Sequence, residues 1–288
     1  NTYIDCPMQF YLTKVEDVAE ADEVVETVEA SMFGTLFHRV MEKLYQPYTG
    51  RLIHETDFEQ MVSNTPEIDK EIARAFASEY FKKKNNSIVP LEGNNLLIAS
   101  VLRKYILQVL KIDKKRAPFR YIASEEACNY QLPIFGGRLS VNLKGFIDRI
   151  DEKDGHLRII DYKTGKGKLE FKSLPEVFEH NKENRQKFVL QTFLYALFYK
   201  KNAGDRKIIP GIYYLRNLFD DSFDTELRHK PDRSINQPVT DFSIFEEEFC
   251  SHLTSCLEEI FDPSIPFVQT ENSKACQYCP YTGICNRQ

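Results

Sequence analysis

The sequence predicts an α/β protein built on a mixed β-sheet, and three features of the pattern point there. Before Pro118 apolar residues recur at i, i+3, i+4 and i+7; after it three β-rich runs follow one another with short turns between; a helical period then returns ahead of one more strand. The expected core order is helix, three strands, helix, strand, with additional helices around it and a Cys-rich C-terminal segment.

Taken in order, residues 16–29 are strongly acidic and read equally well as an exposed helix or an acidic connector. "SMFGTLFHRVMEKLYQPY" sets Phe33, Leu36, Phe37, Val40, Met41 and Leu44 on one stripe, so a helix buried along one side is expected, with His38 on or beside the stripe. Residues 67–84 and 96–115 read as two more amphipathic helices, parted by the turn-rich "NNSIVPLEGNN". "FRYIASEEACNYQLPIF", "RLSVNLKGFIDRID" and "HLRIIDYKTG" form a three-strand meander joined at Gly136–Gly137 and at "EKDG" over 152–155. "NRQKFVLQTFLYALFYKK" over 184–201 returns to a helix, "KIIPGIYYLRN" over 207–217 to a strand, and 241–262 to a last helix. The chain is expected to be a single domain over 1–288, with a helical part at 30–118, a core at 119–217 and two end segments, 1–15 and 266–288, that belong together.

Composition bounds the class. Hydrophobic residues are 42% and charged residues 28%, ordinary for a globular protein, and no apolar run approaches the ~20 residues of a membrane span. The opening "NTYIDCPMQFYL" lacks a basic region followed by an apolar one and does not begin with Met, so a piece of a longer chain is expected. A net charge of -5 argues against a general polycation; the basic runs "KIDKKR" and "KTGKGK" and the group Lys182, Arg185, Lys187 are each read first as solvated faces. Seven cysteines, an odd number, do not suit a closed disulfide framework in a chain of this size, and a reducing, cytoplasmic compartment is expected.

Two constellations carry chemistry. In a strand alternate side chains share a face, so Leu157, Ile159, Asp161 and Lys163 point one way and Arg158, Ile160 and Tyr162 the other. The short turn to the preceding "GFIDRID" brings Asp148 close to Asp161, two carboxylates and an ammonium at one strand end. Close carboxylates repel unless a cation lies between them, and a hard divalent ion such as Mg²⁺ prefers oxygen ligands. Metal-assisted phosphodiester hydrolysis suits such a site; a D-x-K triplet alone more often makes a cross-strand salt bridge, and Asp148, with a Gly145 that lets a backbone or ligand come close, is what evens the comparison. The second constellation is C-x2-C-x5-C at Cys276, Cys279 and Cys285, three thiolates of a four-ligand site. Spacing alone leaves zinc and an iron–sulfur cluster both open, and Cys128, Cys250 and Cys256 read as buried or free thiols.

These residues together resemble the PD-(D/E)XK nuclease superfamily, and within it the RecB-like and AddB-like exonuclease domains. The likeness runs through "GTLFH" with His38, "GFIDRID" with Asp148, "IIDYKTG" with Asp161 and Lys163, and "QTFLY" with Gln191 and Tyr195, in that order. It implies a restriction-endonuclease-like core. It also implies metal ligation of Mg²⁺ or Mn²⁺ by His38, Asp148, Asp161 and the backbone carbonyl of Tyr162, a catalytic Lys163, and Gln191 and Tyr195 positioning that lysine or a DNA phosphate. A 4Fe-4S cluster held by Cys6 of "YIDCPMQFYL" with Cys276, Cys279 and Cys285 is implied too, stapling the two chain ends, and zinc becomes the weaker candidate. The implied function is a metal-dependent DNA nuclease, an exonuclease in an AddB-like subunit with a helicase-type partner acting in DNA break repair. A freestanding CRISPR-associated-type single-strand exonuclease would use the same residues, and a catalytically idle DNA-end-binding module is the alternative from another class. Intact His38, Asp148, Asp161 and Lys163 speak against the idle module.

Overall fold

The computed structural model describes residues 1–18, 30–84 and 87–287, so most of the acidic run at 16–29 lies outside the described residues. Five strands make the main sheet in the order β1 (Leu52–Ile53), β2 (Phe119–Ile134), β3 (Leu139–Lys153), β4 (His156–Lys163) and β6 (Lys207–Tyr214). Neighbours are antiparallel except β4 and β6, which run parallel. A parallel pair needs a crossover, supplied by helix α5 (Lys187–Ala203) between them. A separate small sheet of β5 (Glu170–Phe171), β7 (Arg228–His229) and β8 (Gln237–Pro238) was not legible, because two-residue strands carry no period.

The alternation expected along β4 decides the layering. Leu157 and Ile159 enter one core with Val189, Phe193 and Leu197 of α5 and Phe249 and Leu253 of the last helix, α6 (Ser243–Phe261). Ile160 and Tyr162 enter a second core on the other face, with Leu36, Phe37 and Val40 of α1 (Ala30–Tyr45) and with helices α2 (Glu55–Ser63), α3 (Thr65–Ala75) and α4 (Gly93–Arg116). The sheet is thus covered by helices on both faces, and β4 is buried on both, which is why its sequence is nearly continuously apolar up to Ile160.

The helical part differs from expectation in two places. Residues 55–63, within the part expected to be mainly helical but assigned to no element there, form α2, started by a capping box between His54 and Asp57. The helix expected over 67–84 begins at Thr65, capped by Asn64 accepting from the Glu67 N–H, and closes in a wider turn over Phe76–Tyr80. The strand expected over 207–217 ends at Tyr214, and a short helical turn takes Leu215–Asn217.

Residues of the first segment touch the last helix and the stretch after it. The Met8 N–H donates to the Val268 carbonyl at 3.0 Å, Tyr3 donates to Glu259 at 2.8 Å, and Phe10 and Tyr11 pack on Phe267.

Candidate active site

The β3–β4 register places Ile150 opposite Ile159 and Arg149 opposite Ile160, so the next pair along is Asp148 and Asp161. The Tyr162 N–H donates to Asp148 Oδ2 at 2.7 Å, which fixes that carboxylate against the β4 backbone. Lys163 lies two residues beyond Asp161 on the same strand face, and its Nζ donates to Asp161 Oδ1 at 2.8 Å. Asp161 is fully buried, and its Oδ2, although 2.7 Å from the same ammonium, receives no hydrogen bond of proper direction. The Phe188 ring, its centroid 5.1 Å from Lys163 Nζ, completes the lysine's surroundings.

Helix α1 delivers His38 from the other side. Its Nε2 lies 3.2 Å from the Tyr162 carbonyl oxygen, and its Nδ1 lies 3.4 Å from Glu125 Oε1 and 3.6 Å from Asp148 Oδ2. Gly34, one turn earlier, faces the loop after β4, where a Cβ would make an ordinary contact with Thr164 Cγ2 at 3.5 Å.

Glu125 is the residue that sequence reasoning missed. His38, Glu125 and Asp148 form a trio whose ligand atoms all lie within 4.8 Å of one another, whereas Asp161, expected among the ligands, is outside it and engaged by Lys163. The signal was available: β2 and β3 pair symmetrically about Gly136–Gly137, and eleven residues back from Gly136 and eleven forward from Gly137 are Glu125 and Asp148. Ser124 pairs with Arg149 and Glu126 with Ile147, which leaves those two opposite each other. Glu125 adopts φ 48°, a left-handed conformation that a non-glycine residue holds only at a cost of about 1–3 kcal/mol and that clusters at functional sites.

Burial and crowding set the protonation. Burial, then the adjacent Asp161 charge, push Asp148 up to about 7 against the pull of His38, the Tyr162 N–H and Lys163. Burial also drives Asp161 upward, opposed by Lys163. His38 is lowered by burial but raised more by its bond to Glu125 and by the Asp148 and Asp161 charges, so its net shift is upward. The group behaves as an anionic nest short of positive charge.

On α5, Gln191 Nε2 donates to the Tyr195 hydroxyl at 2.7 Å, and burial first pushes that hydroxyl up to about 12. The Tyr195 ring lies against Gly145, where a Cβ would sit 3.2 Å from Cε1. Gly145, expected to admit a backbone or ligand, therefore admits this ring. Lys163 is held by Asp161, not by Gln191 or Tyr195, and these two sit beside the acidic pair with Tyr195 sensing both of its charges.

Directly behind the site lies a second buried ionic group. Arg149, next to Asp148, turns to the opposite face and donates to Asp113 of α4 at 2.5 Å, to Asp151 at 3.0 Å and to the Tyr162 hydroxyl at 3.1 Å. Asp113 also accepts from Tyr45 and, at 2.8 Å, from Tyr213. This ties α1, α4, β3, β4 and β6 together under the site.

At the joined chain ends Cys6, Cys276, Cys279 and Cys285 line one small cavity with Gln9, Thr270 and Arg287. The three remaining cysteines are free thiols elsewhere.

A family model of the PD-(D/E)XK nuclease superfamily matches residues 1–286. The chain belongs to this superfamily. No curated protein matches. Among solved structures, one titled "Crystal structure of SSO0001" is similar at 15% identity over 96% of this chain and 95% of that chain, with a TM-score of 0.29. Membership of a PD-(D/E)XK nuclease family suggests a metal-dependent nuclease, and His38, Glu125 and Asp148 form a group that could hold a divalent ion.

Proposed function

We propose that this PD-(D/E)XK chain is a Mg²⁺- or Mn²⁺-dependent DNA exonuclease, working in an AddB-like helicase-nuclease subunit that processes broken DNA in a reducing compartment. The observation that carries the reading is the trio His38, Glu125 and Asp148 abutting the Asp161–Lys163 pair at one strand end. The residues fit a divalent ion: Asp161 Oδ2 is buried without a hydrogen bond, and carboxylates this crowded need a cation to be ionised together. Among the described residues no helix is long and apolar enough to cross a membrane.

His38, Glu125, Asp148, Asp161 and the Tyr162 carbonyl would hold the ion. Bound there, it supplies Lewis-acid polarisation of the phosphoryl group and a water of lowered pKa. Lys163, fixed by Asp161, stands where it can orient the attacking water or neutralise charge developing on the phosphoryl oxygens. Tyr162 contributes through its backbone alone, since its ring is anchored by Arg149 on the other face of the sheet. Gln191 and Tyr195 form a polar ledge from α5, suited to holding the lysine side of the site or a substrate phosphate.

The four cysteines fit a 4Fe-4S cluster, which would contribute to folding as structural metal sites do.

End-labelled single- and double-stranded DNA incubated with the protein and Mg²⁺ or Mn²⁺ should shorten, and EDTA should stop it. Asp161→Ala and Lys163→Ala should each lower the rate by at least about 10³, the scale of losing one charge-stabilising group or more. Cutting by both variants at the parent rate sinks the reading. The same protein prepared without oxygen should contain iron, and Cys279→Ser should lose it; stoichiometric zinc without iron refutes the cluster.

A further inference from the structure

The open side of the site is a cleft of about 600 Å³ lined by His38, Arg39, Glu42, Glu79, Glu125 and Phe146. Phe146 is 60% exposed, although it sits in the middle of β3 two residues from Asp148 and beside a residue, Ile147, that is fully buried. Phe146 continues the exposed alternate positions Ser140, Asn142 and Lys144 of β3 and carries that face to the wall of the cleft it shares with His38 and Glu125.

The charges on the two sides of the site differ in sign. In the cleft Arg39 is already paired with Glu42 at 2.7 Å and lies 3.8 Å from Glu79, so with Glu125 the lining is anionic on balance. Such a lining repels a phosphodiester backbone but accepts a nucleobase, whose amino groups donate to carboxylates and whose face stacks on an aromatic ring. On the other side the strand runs from Lys163 into a loop bearing Lys166 and Lys168. Gly167 presses this loop onto the Tyr214 ring so closely that a Cβ would fall 2.1 Å from it. Phosphates belong on that cationic side.

We propose that Phe146 is the platform on which the base of the nucleotide being cleaved stacks, with its phosphate at the carboxylates and neighbouring phosphates along the Lys166–Lys168 loop. The proposal rests on the nuclease reading and adds a base-recognition element to it. A base lying on Phe146 has left its partner strand, so cleavage requires an unpaired nucleotide at that position.

The test uses a DNA oligonucleotide carrying 2-aminopurine at the scissile position, bound with Ca²⁺ in place of the catalytic ion, with quenching as the readout of stacking. Quenching should be strong with the parent, kept in Phe146→Trp and lost in Phe146→Ala, and Phe146→Ala should bind about tenfold more weakly, the scale of one base–aromatic stack. An oligonucleotide abasic at that position should bind the parent and Phe146→Ala alike, which a merely structural role would not produce. Absence of quenching in the parent, equal quenching in Phe146→Ala, or an equal loss on the abasic strand overturns the platform. Cleavage of the same oligonucleotide in Mg²⁺ is read separately: quenching without cleavage supports the platform while removing the nuclease reading, and cleavage without quenching does the reverse.

Discussion

Asp148 and Arg149 are adjacent in β3 and belong to two buried ionic groups on opposite faces of one sheet. Behind the sheet two carboxylates, Asp113 and Asp151, meet three guanidiniums, Arg149, Arg116 at 3.7 Å and Arg158 at 3.8 Å from Asp151 Oδ1, so cations outnumber acids, although Asp151 Oδ1 receives no hydrogen bond. In front, three carboxylates, Glu125, Asp148 and Asp161, meet one ammonium and one imidazole, and one of the acids, Glu125, carries left-handed backbone. The first group is a clamp with more cations than acids. The second is short of positive charge, and that deficit is the physical mark of a cation site.

Breaking the clamp should have the largest effect. Asp113→Ala or Arg149→Ala strands a buried charge and should destabilise the fold by about 3–5 kcal/mol, read from denaturant midpoints. On the site side, Asp148→Asn or Glu125→Gln removes one of several crowded carboxylates, so the metal-free protein should be unchanged or more stable. Comparable losses on both faces would erase the distinction.

A smaller effect is expected with pH. Asp148 at about 7 and Asp151 at about 6 hold protons in the folded chain that an unfolded carboxyl releases near 3.9. Between about pH 4 and 7 the folded state therefore binds more protons, and these groups make stability fall as pH rises. His38, raised in the fold, adds the same sign above the unfolded histidine value of about 6.5. In EDTA the melting temperature should be higher at pH 5.5 than at 7.5, and Asp148→Asn should reduce the difference; Mn²⁺ should restore stability at the higher pH. A parent protein in EDTA that melts higher at pH 7.5 contradicts the assigned shifts.

The clamp and the site were not equally legible in the sequence. Asp148, Asp161 and Lys163 were readable because strand alternation and a short turn fix their relation locally, while His38, on a distant helix, was named only through the resemblance; the structure sets the four side chains near one another. Glu125 needed a register carried eleven residues on each side of Gly136–Gly137, and its left-handed backbone is invisible to pattern. Asp113 was unreadable, since it sits in a basic run "KIDKKR" that looks like a solvated face and is buried only because α4 lies across Arg149. The layers and the main strands followed from period, while the small second sheet and α2 depend on tertiary pairing and a single capping box.

The central claim is that the charge-deficient group around Asp148 is a divalent-ion site, and titration of Mn²⁺ into the metal-free protein by calorimetry tests it most directly. The parent should bind Mn²⁺, Glu125→Gln should bind about tenfold or more weakly, Asp148→Asn should lose measurable binding, and Asp151→Asn, on the other face, should bind as the parent does if it folds. Equal Mn²⁺ affinity in the parent, Glu125→Gln and Asp148→Asn would contradict it.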